Sequence, residues 1–249
     1  MKTLIVLSII VAVGMLLLKI FSPQIKGFIG ELKVNLRLRL LGKKFVIIPN
    51  VMLENPNGST SQIDHLVISE YGIFVIETKN YTGWIMGNDK SEDWQQIIFK
   101  EKHYFRNPIK QNLSHIYALK NILSDYHNIK YYPIVVFVGN ATLKRLNVSQ
   151  PVIYANRLRA TIKQNCINKC LSLEDVQIIK QRLQSSDVSR IVSRRQHIQN
   201  IQDNIQEKQF KINNLICPWC NGDLKLRSGV NGMFYGCSNY PKCKFTVSC

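Results

Sequence analysis

Hydrophobic and polar positions follow different periods in successive parts of the 249-residue chain. From Thr3 to Leu18 no charge interrupts a run made mostly of Leu, Ile and Val, and Lys19-Ile20-Phe21 follows it. With Lys19 snorkelling, Leu4 to Phe21 reaches the length of about 17 to 20 residues that a helix needs to cross a bilayer. The competing reading, a secretory signal, calls for a small-residue cleavage site, and Lys19-Ile-Phe-Ser-Pro-Gln is a poor one. Residues 3–21 are therefore expected to form an uncleaved transmembrane anchor. Phe28, Leu32, Leu36 and Leu40, at spacings of four, predict a helix over residues 25–41 whose single apolar stripe faces a core.

The period then falls to that of strands. Phe45 to Leu53 reads as a first strand, closed by the turn cluster Glu54-Asn-Pro-Asn-Gly-Ser. Gln62–Ser69 and Ile73–Lys79 are rich in β-branched and aromatic residues and meet at Glu70-Tyr-Gly, which predicts a hairpin. The stretch from Asn80 to Gly87 reads as strand or loop, with Trp84 and Trp94 assigned to packing. Asn107-Pro108 opens a helix to about Tyr126 in which Leu113, Ile116, Leu119, Ile122 and Leu123 face a core. Ile134–Val138 and Pro151–Ala155 are short strands, and Ser172-Leu-Glu-Asp opens a further helix to Leu183 in the manner of a capping box. The sum is an α/β (α+β) domain over residues 25–183, a mixed sheet flanked by helices. Residues 184–214, rich in Gln, Asn, Ser and Arg, read as a helical, partly flexible linker to a small module at 215–249.

Charge narrows the partners. The chain holds 33 Lys and Arg against 16 Asp and Glu, a net of +17, which favours a polyanion: nucleic acid or an anionic membrane surface. Lys19, Lys26, Lys33, Arg37 and Arg39 follow the apolar run and only Lys2 precedes it, so the positive-inside rule leaves the bulk of a single-pass chain cytoplasmic, at an inner or plasma membrane. Four of the seven cysteines fall in a metal-type spacing, so a reducing compartment fits better than a secreted disulfide scaffold.

The hairpin carries the candidate chemistry. Glu77 and Lys79 lie two apart and so share one face of the sheet. If Ser69 faces Gly72, Asp64 lies across from Glu77 on that face. If Gly72 makes a one-residue bulge, Asp64 opposes Thr78 instead and the site weakens. Two carboxylates close together repel, and a divalent cation, Mg²⁺ or Mn²⁺, resolves the repulsion through oxygen ligands. Asp64 and Glu77 would hold the ion, the Thr78 carbonyl could add an oxygen, and Lys79 could position a water for attack on a phosphodiester. His65 points to the other face, and both it and His115 read as structural, as do Cys166 and Cys170.

Asp64, twelve intervening residues and Glu77-Thr78-Lys79 resemble the D…ExK signature of restriction-endonuclease-like nucleases. Gly30-Glu31, Gln62-Ile63-Asp64-His65, Tyr71 to Tyr81, Gly83, Trp94, and Asn107-Pro108 with Gln111-Asn112 resemble, more narrowly, the nuclease-related domain (NERD), over about residues 25–140. The resemblance implies a restriction-endonuclease-like mixed sheet and nuclease activity. It adds Glu31 and Gln111 to the candidate catalytic residues.

Cys217-Pro-Trp-Cys220 and Cys237-Ser-Asn-Tyr-Pro-Lys-Cys243 form a C-x2-C and C-x5-C set 16 residues apart, the spacing of a structural zinc site. With no His, Asp or Glu beside the ligand pairs, the set has no open catalytic position, and Cys249 is spare. Cys217-Pro-x-Cys-x-Gly-x-Leu and Gly232-Met-Phe-Tyr-Gly-Cys resemble the C-terminal zinc ribbon of type IA DNA topoisomerases, which implies DNA binding, particularly of single strands. Lys225, Arg227, Lys242 and Lys244 against Asp223 give the module a net of +3. Tyr240 is the aromatic expected to stand exposed among them, with Phe234 and Phe245 in the core. The expected whole is a membrane-anchored, DNA-binding, Mg-dependent nuclease. A catalytically silent DNA tether at the membrane is the alternative, and a basic surface that contacts lipid, with a ribbon that binds protein, is a third reading.

Overall fold

The hairpin carries unbroken apolar runs, Leu66 to Ile68 and Ile73 to Ile76, rather than an alternation, so both faces of their sheet must be covered. The computed structural model, which describes residues 25–189, 194–229 and 232–248, shows how. Strands β1 (Val46–Glu54), β2 (Thr60–Ser69), β3 (Gly72–Lys79), β7 (Tyr131–Phe137) and β9 (Val152–Tyr154) form one mixed sheet in the order β1-β2-β3-β7-β9. The first three are antiparallel, and β3, β7 and β9 run parallel. Helices α2 (Pro108–Ile122) and α4 (Leu173–Ser185) cover one face through Ile116, Leu119, Val176 and Ile179. The other face takes helix α1, described over residues 25–39, and α3 (Leu158–Gln164), through Val34, Leu38, Leu158 and Ile162. The mixed α+β architecture is the one the sequence predicts.

Three features differ from the sequence expectation. First, α1 buries the row Gly30, Val34 and Leu38, while Phe28, Leu32, Leu36 and Leu40 face outward. The helix carries two apolar rows on opposite sides, both spaced by four, and periodicity cannot rank them. Packing chooses the slimmer row, because a Cβ at Gly30 would stand 3.0 Å from the Asn80 Cβ, and Asn80 Nδ2 donates to the Lys26 carbonyl at 2.6 Å. Second, the region after β3 forms a separate four-stranded sheet, in the order β6-β5-β4-β8. It comprises β4 (Gly83–Asn88), β5 (Asp93–Ile98), β6 (Glu101–Arg106) and β8 (Ala141–Asn147). Its strands are too polar to announce themselves by pattern; β6 is exposed at five of its six positions. Trp94 packs in its core as expected, whereas Trp84 is half exposed beneath the Lys144 ammonium, 3.6 Å from the ring centroid. Third, residues 184–189, read as the start of the linker, stay with the first unit, where Val188 N donates to the Met52 carbonyl at 2.9 Å.

The chain divides into two compact units, ending and beginning at Ser189 and Arg190. The second contains α5 (Arg194–Asn213) and a three-stranded sheet of β10 (Leu224–Gly229), β11 (Gly232–Cys237) and β12 (Thr246–Ser248). Residues 3–21, the expected anchor, lie outside the described residues, and among the described residues no helix is long and apolar enough to cross a membrane.

Gly72 opens β3 opposite Ser69. Its φ of +126° is disfavoured for other residues, and a Cβ there would fall 2.3 Å from the Lys130 carbonyl oxygen. Gly72→Ala is expected to cost more than about 1 kcal/mol of stability. Urea unfolding of the two proteins side by side measures it, and an unchanged midpoint would contradict the steric reading.

Candidate functional site

Asp64, Glu77 and Lys79 are brought together by an unshifted ladder. Ser69 faces Gly72 and His65 faces Ile76, so the next positions along, Asp64 and Glu77, come opposite each other. Of the two registers the sequence leaves open, this is the one that assembles a site. Asp64 Oδ2 accepts a hydrogen bond from Thr78 N at 2.7 Å. Lys79 Nζ lies 2.8 Å from Glu77 Oε1 and donates to Gln111 Oε1, also at 2.8 Å. The second carboxylate oxygen, Glu77 Oε2, meets His115 Nε2 at 3.0 Å, and His115 Nδ1 meets Ser61 Oγ at 2.6 Å.

Helix α2 supplies Gln111 and His115 from one face, four residues apart. Its start is fixed by Asn107, whose Oδ1 accepts from Ile109 N at 3.0 Å while Nδ2 donates to the carbonyls of Asn88 and Ser91 at 3.0 and 2.8 Å. One step past Gln111, the buried Asn112 donates to the carbonyls of Val75 at 2.9 Å and Ile134 at 3.2 Å, tying the helix to β3 and β7. His115 and Ser61 are the residues that sequence reasoning missed. The only signal was the i, i+4 spacing of His115 from Gln111, and without a known partner that spacing says nothing.

Burial opposes charge on every group here, and the neighbours decide the outcome. Burial and the adjacent Glu77 charge push Asp64 well above the usual carboxylate range, although the Thr78 N–H favours its anion. Burial would raise Glu77 as well, but Lys79 and His115 hold it down at about 2. Lys79 is buried too, yet the Glu77 carboxylate keeps it protonated, above its ordinary value. His65 faces the opposite layer, where burial lowers it to about 4 against a hydrogen bond to the Glu31 backbone.

Asp64, half-buried beside the buried Glu77, is thus a carboxylate that a cation would stabilise, and one or two carboxylates are the usual protein share of a Mg²⁺ site, the remaining oxygens coming from water and a phosphate. The donor set fits a hard divalent ion. Glu31 stands on α1, which packs on the opposite face of the sheet from α2, and its negative charge raises Asp64 further. Among the described residues the four cysteines alone bring three or more candidate ligands together. A cleft of about 640 Å³ opens beside Lys79, with Lys26 and Lys33 of α1 on its wall together with Asn80, Gln96 and Asn140.

A group whose folded pKa is raised contributes stability at low pH that is lost as pH rises through the folded value. In EDTA at pH 8, Asp64→Asn, which keeps an acceptor for Thr78 N, is therefore expected to raise the melting temperature by a few degrees, roughly 1 kcal/mol or more. At pH 4 the two proteins are expected to melt alike, and a variant that melts lower at both pH values would refute the unfavourable charge.

In the ribbon, the sulfurs of Cys217, Cys220, Cys237 and Cys243 lie within 4.8 Å of one another, with 3.6 Å between Cys217 and Cys243 and 3.3 Å between Cys220 and Cys237. Tetrahedral Zn–S bonds of about 2.3 Å place sulfurs about 3.8 Å apart, so the set fits zinc with little movement. Arg227, Tyr240 and Lys244 surround a hollow of about 290 Å³ floored by Phe234 and Phe245, and Lys225 and Lys242 stand exposed outside it. Tyr240 is 62% exposed and Phe245 is buried, as expected. Trp219, which the sequence reading passed over, is 69% exposed and packs edge-on against Phe245.

Residues 26–138 match the nuclease-related domain, and an uncharacterised protein of Bacillus anthracis is 39% identical over 166 residues, 65% of this chain and 74% of that protein. The chain belongs to the nuclease-related domain family. Asp64, Glu77, Lys79, Gln111 and His115 all lie inside the matched stretch, so the buried cluster belongs to the nuclease-related domain itself. Residues 215–249 match the topoisomerase DNA-binding C4 zinc finger. DNA topoisomerase 1 of Methanocaldococcus jannaschii is 52% identical over 42 residues, 17% of this chain and 6% of that enzyme. DNA topoisomerase 1 of Mycoplasmoides gallisepticum is 50% identical over 42 residues, again 6% of the enzyme. What is shared with the topoisomerases is the ribbon. No solved structure matches the chain.

Proposed function

We propose that the nuclease-related domain hydrolyses DNA phosphodiester bonds with Mg²⁺ or Mn²⁺ held by Asp64 and Glu77, that the ribbon holds the DNA, and that residues 3–21 anchor the chain in a membrane with its bulk on the cytoplasmic side. The observation that carries the reading is the convergence of Asp64, Glu77, Lys79, Gln111 and His115 at one buried point beside a basic cleft. The ion supplies Lewis acidity and a stronger nucleophile at neutral pH. Thr78 N orients Asp64, and His115, braced by Ser61, fixes the Glu77 carboxylate. Gln111 holds the Lys79 ammonium, which is placed to orient a water and to stabilise charge that develops on the phosphate. Lys26 and Lys33 would follow the strand's phosphates along the cleft. In the ribbon, Tyr240 and Trp219 offer faces on which unpaired bases stack, with Arg227 and Lys244 for the backbone, a composition suited to single strands. Two weak DNA contacts in one chain raise the effective concentration of substrate at the site.

One observation favours a second reading, a silent DNA tether. Glu77 already has both oxygens engaged, one by Lys79 and one by His115, so an ion must share or displace a partner. Cleavage of single-stranded, duplex and supercoiled DNA by the full chain in detergent, with Mg²⁺, Mn²⁺ or EDTA, separates the two. Metal-dependent cutting that Asp64→Ala and Lys79→Ala abolish, with zinc retained, is the expected result. DNA binding without cutting on any substrate would establish the tether.

A further inference from the structure

We propose that the outward face of α1 lies in the headgroup layer of an anionic phospholipid bilayer, a second membrane contact beside the anchor on which this inference rests. Opposite the buried row of Gly30, Val34 and Leu38, the helix presents Ile25, Phe28, Ile29, Leu32 and Leu36 to solvent, with Leu40 exposed in the turn that follows; Phe28 is 65%, Leu36 55% and Leu40 62% exposed. At about 100° per residue the five helical side chains fill an arc of about 100°, running about 18 Å along the surface, and Leu40 extends it. A monomer in water seldom leaves so large a continuous apolar strip uncovered.

Distance and charge choose the occupant. Only Ser22, Pro23 and Gln24 separate Phe21, the end of the apolar run, from Ile25. Even fully extended, that link spans about 14 Å, so the described part of α1, from Ile25 onward, lies within reach of the headgroups wherever the anchor emerges. Arg37, Arg39, Lys43 and Lys44 are all exposed at or just beyond the far end of the helix, and residues 25–44 carry six cations against one acid, Glu31. An apolar strip bordered by cations suits acyl chains beneath anionic phosphates. Against a second copy of the chain, the same strip would set two such basic borders side by side, which like-charge repulsion opposes. The apolar outer row and the buried row therefore serve different partners, one the lipid and the other the sheet.

The test uses the full chain reconstituted into vesicles of phosphatidylglycerol and phosphatidylethanolamine. A photoactivatable diazirine amino acid is placed at Leu32, Leu36 or, as the control, at Leu113 of α2, which is 48% exposed. After flotation and irradiation, mass spectrometry identifies what each position has captured. Phospholipid adducts at Leu32 and Leu36, about tenfold above Leu113, are the expected result for an interfacial helix. Flotation with capture of protein only, whether a second copy or another part of the same chain, would leave the anchor standing and overturn the lipid contact. Failure to float would overturn both.

Discussion

Glu77→Gln is expected to lower stability by about 3 to 5 kcal/mol, the cost of breaking a buried ion pair by removing one partner. The Lys79 ammonium, 2.8 Å from Glu77 Oε1 and only 15% exposed, would keep Gln111 as a hydrogen-bond partner but lose its counter-charge. His115 would exchange a carboxylate for an amide. For a domain of this size the change corresponds to a drop of roughly 10 °C in melting temperature. Its pH dependence has a definite sign. Glu77 sits at about 2 in the fold against an ordinary 4.5, so its contribution is fully present above about 4.5 and is lost as pH falls toward 2. That interval corresponds to about 3 kcal/mol, in keeping with the ion-pair figure. The gap between wild type and variant should therefore narrow in acid. Glu77→Gln combined with Lys79→Met removes both charges and is expected to recover most of the loss without recovering cleavage. A single variant as stable as the wild type at pH 7 would show that the pair contributes nothing to the fold.

Removing zinc is expected to unfold the ribbon and leave the nuclease-related domain standing. Among the described residues of the ribbon the buried apolar ones other than cysteine are Leu224 and Phe245, worth roughly 1.5 to 3 kcal/mol each. Ordering some thirty residues costs far more. Zinc bound by four thiolates supplies about 10 to 16 kcal/mol in comparable peptides, enough to reverse the balance. Chelation, or Cys217→Ser, is expected to abolish the dispersion of ribbon amide signals and to remove most oligonucleotide binding. The melting transition of residues 25–189, a separate compact unit, should stay in place. A ribbon that keeps its fold without metal, or DNA affinity that survives its unfolding, would move recognition elsewhere in the chain.

The residues that form both clusters were largely legible before the fold, because they are marked by residue type at fixed spacing. Asp64, Glu77 and Lys79 share a face through the strand period, and four cysteines at zinc spacing need no further context. Gln111 was named from a motif, and the structure gives it a reason in the Lys79 ammonium. His115 and Ser61 stayed silent, since their role exists only where α2 crosses the end of β2 and β3. Glu31 shows the converse. It lies in a recognisable motif, yet its helix packs on the opposite face of the sheet from α2, and what reaches Asp64 from it is a further negative charge.

The sequence by itself determined what short-range periodicity and spacing encode. These are the hairpin of β2 and β3, the start of α2 at Asn107-Pro108, the capping box of α4 at Ser172 and the zinc ligands. The tertiary structure alone decided the register between two permitted pairings, an unshifted ladder from Ser69 opposite Gly72 to His65 opposite Ile76. It decided which of two equivalent apolar rows of α1 enters the core, because the sheet accepts Gly30 where a larger residue would strike Asn80. It also decided the protonation of the site. Asp64 and Glu77 have nearly the same intrinsic acidity, and only burial beside different neighbours drives one up and the other down.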